Sequence, residues 1–179
     1  MVNLSKSVIC IDIGNTTSHI GVYKNGILVK ENRIKSSSLM NNPKKNLYDY
    51  DFSSFPLSYC SVYPMAEDSL LRFIRNKKIN AFNLNNKTKG NFPINYPNPR
   101  EIGQDRLANS FAVYYTSELP CIVVDVGTAT TFDIVTQNGG YEGGVIAPGP
   151  QGFLDFLNQN TALLPEVNLN EFITGSSIG

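Results

Sequence analysis

Two stretches of the chain share one pattern of apolar and polar positions. Each has a short run of β-branched residues, then Asp-x-Gly, then small hydroxyl residues: Val8-Ile-Cys-Ile-Asp12-Ile-Gly14-Asn15-Thr16-Thr17 and Cys121-Ile-Val-Val-Asp125-Val-Gly127-Thr128-Ala-Thr130-Thr131. An Asn-Gly pair, at Asn25 and at Asn138, follows each Asp by 13 residues. Such apolar runs predict strands, and Asn-Gly predicts a tight type I′ turn. We interpret the two stretches as an internal duplication in which each copy forms three strands joined by turns.

The rest of the chain alternates between strand and helix patterns, which predicts an α/β fold. The first three-strand unit covers residues 7–34. Further strands are predicted at 57–63 and 79–84, and helices at 66–77, from 100–106 onward, and at 151–164. Residues 141–150, dense in Gly and Pro, predict a strand followed by a loop. Residues 35–55 lack any period and predict a surface loop without a functional site.

Composition narrows the class of protein. A chain of 179 residues can hold one large domain or two small ones. Because 15 Lys and Arg balance 15 Asp and Glu, nothing favours nucleic acid or an anionic membrane as a partner. Three cysteines without Cys-x-x-Cys spacing, Cys10, Cys60 and Cys121, predict buried free thiols rather than disulfides or zinc ligands. With no apolar run near about 18 residues and no signal-peptide core, we expect a cytosolic protein.

Each Asp-x-Gly lies in a predicted turn, named here the first turn (residues 12–19) and the second turn (residues 125–131). Gly14 and Gly127 allow another group to approach the backbone closely, and successive N–H groups in such a turn form an anion-binding concavity. The carboxylates of Asp12 and Asp125 suit a hard cation such as Mg²⁺ or K⁺. The two turns together predict a clamp for a polyphosphate and its metal. The alternative is a simple hairpin corner in which each Asp caps its own turn.

Three further side chains are candidates for chemistry. Asp105 and Arg106 lie at a predicted helix start, where an Asp has the ordinary role of capping N–H groups. The same pair could take up a hydroxyl proton and hold an anion. His19 is the single histidine, and a lone histidine is usually structural. Tyr96 lies in a loop rich in Asn, Pro and Gly, where a surface position is equally compatible with the pattern.

The paired turns resemble the two phosphate loops of the acetate and sugar kinase, Hsc70 and actin superfamily. Within it, the chain is similar to type III pantothenate kinase, because several motifs occur in that family's order and spacing. They are Asp12-Ile-Gly-Asn-Thr16, Tyr96, Gly103-Gln-Asp105-Arg106, Asp125-Val-Gly-Thr-Ala-Thr-Thr, Gly143-Gly-Val-Ile-Ala-Pro-Gly149 and Thr161-Ala-Leu-Leu-Pro165.

This resemblance implies duplicated actin-like (ribonuclease H-like) ATPase domains with mixed sheets, over residues 1–117 and 118–179, the second incomplete. It implies ATP-dependent phosphorylation of pantothenate to 4′-phosphopantothenate, the first step of coenzyme A biosynthesis, with Mg²⁺ and a monovalent cation (K⁺ or NH₄⁺), in a cytoplasmic homodimer. It assigns Asp105 as general base and Asp125 as metal ligand. The implied ATP-binding residues are Asp12, Gly14, Asn15, Thr16, Thr17, His19, Gly127 and Thr128, and the implied pantothenate-binding residues are Tyr96, Gly103, Gln104, Asp105 and Arg106.

Members of that family continue well beyond Gly179, including a threonine that contacts pantothenate. A fragment, a split gene and a degenerate non-catalytic relative, similar to the proteins called Bvg accessory factors, therefore stay open as alternatives. So does another kinase or phosphatase of the superfamily.

Overall fold

The structure, a computed structural model, describes residues 7–88 and 90–169. The first half is an α/β unit around a mixed five-stranded sheet of order β3-β2-β1-β4-β5. β1 to β3 are antiparallel, whereas β4 is parallel to β1 and β5 is parallel to β4. Its elements are β1 Val8–Ile13, β2 Thr17–Lys24, β3 Ile27–Lys35, α1 Ser36–Asn41, α2 Pro43–Asn46, β4 Leu57–Ser61, α3 Pro64–Lys77 and β5 Ala81–Asn83.

The second half repeats the first four elements in the same order. Its three strands form an antiparallel sheet of order β6-β7-β8, and a helix follows β8 as α1 follows β3. Its elements are a short 3₁₀ turn Pro99–Glu101, α4 Gln104–Thr116, β6 Cys121–Val126, β7 Ala129–Thr136, β8 Gly140–Pro148 and α5 Pro150–Asn160. The predicted duplication and α/β class are confirmed.

The helix α4 joins the two halves. Its Leu107 is buried with Phe92, Val135 and Tyr141 in a core that belongs to the second sheet. The start of the helix reaches the first sheet, because the Gln104 side-chain oxygen accepts hydrogen bonds from Ser61 N. The predicted domain boundary at residue 117 stays a prediction, and residues 170–179 of the predicted second domain lie outside the described residues.

The prediction of a surface loop over residues 35–55 is wrong. This segment contains α1 and α2, and its Leu39 and Leu47 are completely buried in the first core. Asn42 separates the two helices and caps the second by accepting a hydrogen bond from Lys45 N. Helices this short show no apolar period, so the segment's polar composition concealed its few core residues.

The second Asn-Gly pair does not form the predicted type I′ turn. In the first copy Asn25 and Gly26 have φ values of 52° and 80°, as that turn requires. In the second copy the positive φ falls on Gly140, at 63°. The backbone there also leaves no space for a side chain, since a Cβ on Gly140 would lie 2.1 Å from the Pro93 carbonyl oxygen. Contact with Pro93, in the loop before α4, therefore sets the conformation of this turn.

Smaller differences concern element ends and the cysteines. The last helix ends at Asn160 rather than at residue 164, and β5 is three residues long. The three thiols are free as predicted, but only Cys60 is buried, whereas Cys10 and Cys121 are half-buried. Across residues 7–88 and 90–169, no helix has the length and apolarity that crossing a membrane requires.

The duplication shows an apolar face of the second sheet that lacks a cover among the described residues. Ile9, on one face of β1, is 0% exposed beneath the helices of the first half. Its counterpart Ile122 on β6 is 64% exposed. Five other residues of the second sheet that share this face are also exposed, namely Val124, Val126, Phe132, Ile134 and Val145. The second sheet therefore agrees with the prediction of an incomplete domain.

We expect Ile9→Val and Ile122→Val to differ in their effect on the free energy of unfolding. Ile9→Val removes a methyl group from a close-packed core and should cost about 0.5–1.5 kcal/mol. Ile122→Val removes the same group from an exposed surface and should change stability by less than about 0.5 kcal/mol. Denaturant titration of the two variants measures the difference, and equal losses would show that this face is covered in solution.

Candidate active site

An open cleft of about 600 Å³ lies between the two halves. The first turn, the second turn and the start of α4 all line it. The lining contains Asp12, Gly14, Asn15, Thr16, Thr17, His19, Arg33, Val62, Asp105, Asp125, Val126, Gly127, Thr128, Ala129 and Thr131. Every residue assigned above to ATP, to the metal or to the general base is therefore in one place.

Equivalent strand ends place the two turns. Asp12 is on β1 opposite His19, and Asp125 is on β6 opposite Thr131. Each turn is closed by a backbone hydrogen bond from its glycine, Gly14 N to Thr17 O at 3.1 Å and Gly127 N to Ala129 O at 2.9 Å. The hydroxyl oxygens of Thr16 and Thr128 are 3.1 Å apart and hydrogen-bonded. The two turns thus meet directly across the cleft.

The helix α4 supplies the third wall. Asp105 is in its first turn, and Asn109 follows one helical turn later on the same face. Asn109 Nδ2 donates to Asp125 Oδ2 at 2.9 Å, so this helix orients the second carboxylate. Asp105 Oδ1 accepts from Arg106 N at 2.7 Å, which leaves Oδ2 for another partner. A Cβ on Gly103 would lie 2.5 Å from Asp105 Oδ1, so glycine is needed there for this orientation.

The electrostatics of the cleft favour a cation. Burial raises the pKa of Asp12, and the nearby carboxylates of Asp105 and Asp125 raise it further, against a hydrogen bond from the Cys60 thiol at 3.3 Å. Burial also raises the pKa of Asp105, and the Asp125 charge adds to this shift, against the hydrogen bond from Arg106 N. Three carboxylates that repel one another would repel a phosphate too, unless a cation lies between them.

The side chain of Arg106 is directed away from this cleft. Its Nε and Nη2 donate to Asp133 Oδ1 at 2.9 and 2.6 Å. Asp133 is 1% exposed, and the Arg106 side chain 14%, so this is a buried ion pair. The guanidinium also lies 5.9 Å from the centre of the Tyr141 ring. Asp133 of the second sheet thus holds the Arg106 side chain through Nε and Nη2, and Nη1 does not bond to Asp133.

The other three residues assigned to pantothenate also lie outside the cleft lining. The Tyr96 ring packs against Gly143, where a Cβ would lie 3.3 Å from it, and edge-on to Tyr141 with ring centres 6.0 Å apart. Gln104 Oε1 accepts from Ser61 N and from Asn83 Nδ2, both at 3.0 Å, which fixes the start of α4 on the first sheet. Gly103 leaves space for the Asp105 carboxylate, as described above. In β8, Gly143 therefore makes room for the Tyr96 ring. Gly144 makes room for Arg106, since a Cβ there would lie 2.8 Å from Arg106 Nη2.

Several side chains that contact the predicted site residues were not found from the sequence. Asn109 and Cys60 bond to Asp125 and Asp12, Asp133 pairs with Arg106, and Arg33 lines the cleft from β3. The spacing of Asn109, four residues after Asp105, could have identified it as a residue on the same helix face. Strand pairing brings in Cys60 and Arg33, and the packing of α4 on the second sheet brings in Asp133; the sequence offered no local signal for either.

A second concavity, of about 660 Å³, lies beside α2 and α3. Lys44, Tyr50, Phe73 and Lys77 are in its lining. Its carboxylate, Asp51, is already hydrogen-bonded to Ser53 and Ser54. Because no acidic groups converge there, the cleft between the two halves is the stronger candidate for catalysis.

Solved structures of other proteins share this fold. A structure described as a Baf family transcriptional activator from Campylobacter jejuni is 21% identical, with a TM-score of 0.55, over 86% of this chain and 61% of that one. The activator of 2-hydroxyisocaproyl-CoA dehydratase from Clostridium difficile, with bound ADPNP, is 14% identical, with a TM-score of 0.50, over 97% and 58%. The fold is the duplicated actin-like α/β fold with mixed sheets.

The sequence comparisons identify the family within that class. The family model "Type III pantothenate kinase" matches residues 8–179. The type III pantothenate kinase of Methylacidiphilum infernorum is 37% identical over 164 residues, which cover 92% of this chain and 59% of the relative. This chain belongs to the type III pantothenate kinase family. It spans about three fifths of the length of that relative.

Proposed function

We propose that this chain carries the nucleotide site and the general base of a type III pantothenate kinase. The reaction is transfer of the γ-phosphoryl group of ATP to the hydroxyl group of pantothenate, which gives 4′-phosphopantothenate, the first intermediate of coenzyme A biosynthesis. One observation carries the proposal: both turns and Asp105 line a single cleft. Family membership supports the choice of pantothenate as the acceptor.

ATP binds between the turns, with its phosphates against the backbone of residues 14–16 and 127–128. Asn15, Thr17 and His19 line the first-turn side of this cleft, and Thr131 lines the second-turn side. The cation Arg33 and the threonine hydroxyls are suited to phosphate oxygens. The structural neighbour that holds ADPNP supports a nucleotide in a fold of this kind.

Asp105 takes the proton of the pantothenate hydroxyl while that oxygen attacks the γ-phosphorus, and ADP leaves. Such transfer requires little covalent chemistry from the protein, because positioning and charge neutralisation supply most of the catalysis. The raised pKa of Asp105, which burial causes, makes this carboxylate a better base than an ordinary Asp. Tyr96, Gly103, Gln104 and Arg106 shape the pantothenate side of the site. Because Arg106 donates its Nε–H and one N–H of Nη2 to Asp133, the two N–H groups of Nη1 and the other one of Nη2 are left for the pantothenate carboxylate.

The carboxylates fit Mg²⁺, which prefers oxygen ligands and is usually held by one or two carboxylates together with substrate phosphates. Asp12 and Asp125 are the residues to hold it, and the ion would neutralise charge on the β- and γ-phosphates. Among the described residues, no group of three or more His, Cys, Asp or Glu side chains could hold an ion unaided. Metal binding is therefore expected to require the nucleotide. A monovalent cation, K⁺ or NH₄⁺, is assigned to the region of Asp125.

The family resemblance adds two further parts to the proposal. The active form is a homodimer, with the pantothenate pocket near the contact between subunits, and the protein works in the cytoplasm. Sedimentation at several protein concentrations tests the first part, and a mass that stays at the monomer value would reject it.

The direct test of the proposed function is formation of 4′-phosphopantothenate, detected by mass spectrometry. We expect product only when ATP, Mg²⁺ and pantothenate are all present, and more product in K⁺ than in Na⁺. The assay is performed on this chain alone and together with the C-terminal part of the Methylacidiphilum infernorum relative. Bound ATP without product under both conditions would contradict the kinase assignment for this chain.

A further inference from the structure

One backbone contact occurs in both halves of the chain, behind each turn. In the first half, Ser36 N, at the start of α1, donates a hydrogen bond to Thr16 O at 2.9 Å. In the second half, Gly149 N, just before α5, donates to Thr128 O at 3.1 Å. In each half, the residue that follows the third strand thus returns to hold the threonine between the first two strands.

The side chain of Ser36 strengthens the contact in the first half. Ser36 is 0% exposed, and its hydroxyl donates to Gly14 O at 2.6 Å. It is also hydrogen-bonded to the Ser18 hydroxyl at 2.8 Å. Together with its backbone N–H, Ser36 therefore fixes two carbonyl groups of the first turn. A buried hydroxyl with this many partners is costly to remove, because its partners are then left unsatisfied.

Gly149 achieves the same result by close approach. A Cβ there would lie 2.1 Å from Gly127 O and 2.5 Å from Thr128 O. The φ of Gly149 is −70°, which any residue can adopt, so space rather than backbone conformation requires the glycine. A side chain at this position has to displace the second turn.

The two threonines that these contacts hold are the ones that meet across the cleft, hydroxyl to hydroxyl, at 3.1 Å. We propose that Ser36 and Gly149 are a matched pair of positioning residues that set the separation and orientation of the two turns for the nucleotide phosphates. This inference rests on the proposed function. Phosphoryl transfer is sensitive to small misplacements of the groups that hold the substrate, so a shift of either turn should weaken ATP binding.

The variants Ser36→Ala and Gly149→Ala test the pair, each with a control at a nearby position, in α1 and in α5. Ser37→Ala changes an exposed serine one residue away. Gly152→Ala adds a Cβ whose nearest neighbour, the Pro148 Cβ, is 3.9 Å away. Loss of one buried hydrogen bond, about 1.4 kcal/mol, corresponds to a tenfold change in a dissociation constant. We expect the dissociation constant of Mg·ATP to rise about tenfold or more in both test variants, with little change in either control.

Two further measurements separate positioning from a general loss of stability. Amide hydrogen exchange should become faster in residues 12–19 of Ser36→Ala and in residues 125–131 of Gly149→Ala, while the core strand β4 exchanges as before. Binding of pantothenate should be unchanged. Control-like ATP binding and unchanged exchange in both turns would overturn the inference. If the unmodified chain failed to bind ATP, the proposed function would fall, and the exchange rates would still decide whether these residues hold the turns.

Discussion

Asp105→Asn is expected to lower the turnover of 4′-phosphopantothenate formation by about 10²–10⁴-fold, the usual effect of removing a general base. The amide has the shape of the carboxylate, and its oxygen can still accept the hydrogen bond from Arg106 N that positions the side chain. It cannot accept the proton of the substrate hydroxyl. ATP affinity should be nearly unchanged, because the turns and their threonines are untouched.

Protein stability gives a control for this variant. Burial raises the pKa of Asp105 in the folded state, so the folded protein binds this proton more tightly than the unfolded chain does. The stability contributed by Asp105 is therefore present at low pH and lost as pH rises through the folded-state pKa. At neutral pH the neutral Asn avoids this penalty, and we expect an equal or higher melting temperature.

Asp68→Asn, on an exposed position of α3, should leave turnover unchanged. Turnover of Asp105→Asn within twofold of the unmodified chain would reject its role as the base.

Asp133→Ala is expected to be the most destabilising of the substitutions considered. It leaves the Arg106 guanidinium, whose side chain is 14% exposed, without its partner. Breaking a buried ion pair from one side costs about 3–5 kcal/mol. In a chain of this size that corresponds to a fall in melting temperature of roughly 6–20 °C.

The pair of Arg33 and Glu31 is the matched comparison. Its charged atoms are 3.6 Å apart, but the side chains are 67% and 51% exposed. Exposed ion pairs contribute about 0–1 kcal/mol, so Glu31→Ala should lower the melting temperature by no more than a few degrees. The double variant Arg106→Met with Asp133→Leu should recover much of the loss, because it removes both buried charges. Similar melting temperatures for Asp133→Ala and Glu31→Ala would show that the Arg106 pair is open to solvent.

The duplicated pattern predicted most of the fold because each copy combines a local signal with a matching one elsewhere. β-branched runs that end in Asp-x-Gly mark β1 and β6, and the first Asn-Gly pair marks the turn before β3. The second pair failed because Gly140 packs against Pro93, a contact between segments far apart in sequence. Local turn preferences describe a hairpin well only while no other part of the chain crowds it.

The nucleotide side of the candidate site was predictable for the same reason, since most of its residues belong to the duplicated turns. The contacts of the residues on the pantothenate side were harder to predict. The family resemblance assigned Arg106 to pantothenate, and the structure pairs its guanidinium with Asp133, 27 residues later on β7. Ser36 and Leu39 lay in a segment whose Ser- and Asn-rich composition predicted a loop. Leu39 is buried in the core that α3 shares, and Ser36 is bonded to Ser18 and to the first turn, contacts that no local pattern records.

The account depends most on one nucleotide contacting both turns at once. The amide NMR signals of Gly14 and Gly127, one in each turn, report this directly during a titration with Mg²⁺ and a non-hydrolysable ATP analogue. We predict that both signals shift and that both titrations give the same dissociation constant. A shift at only one glycine, or two clearly different dissociation constants, would contradict the account.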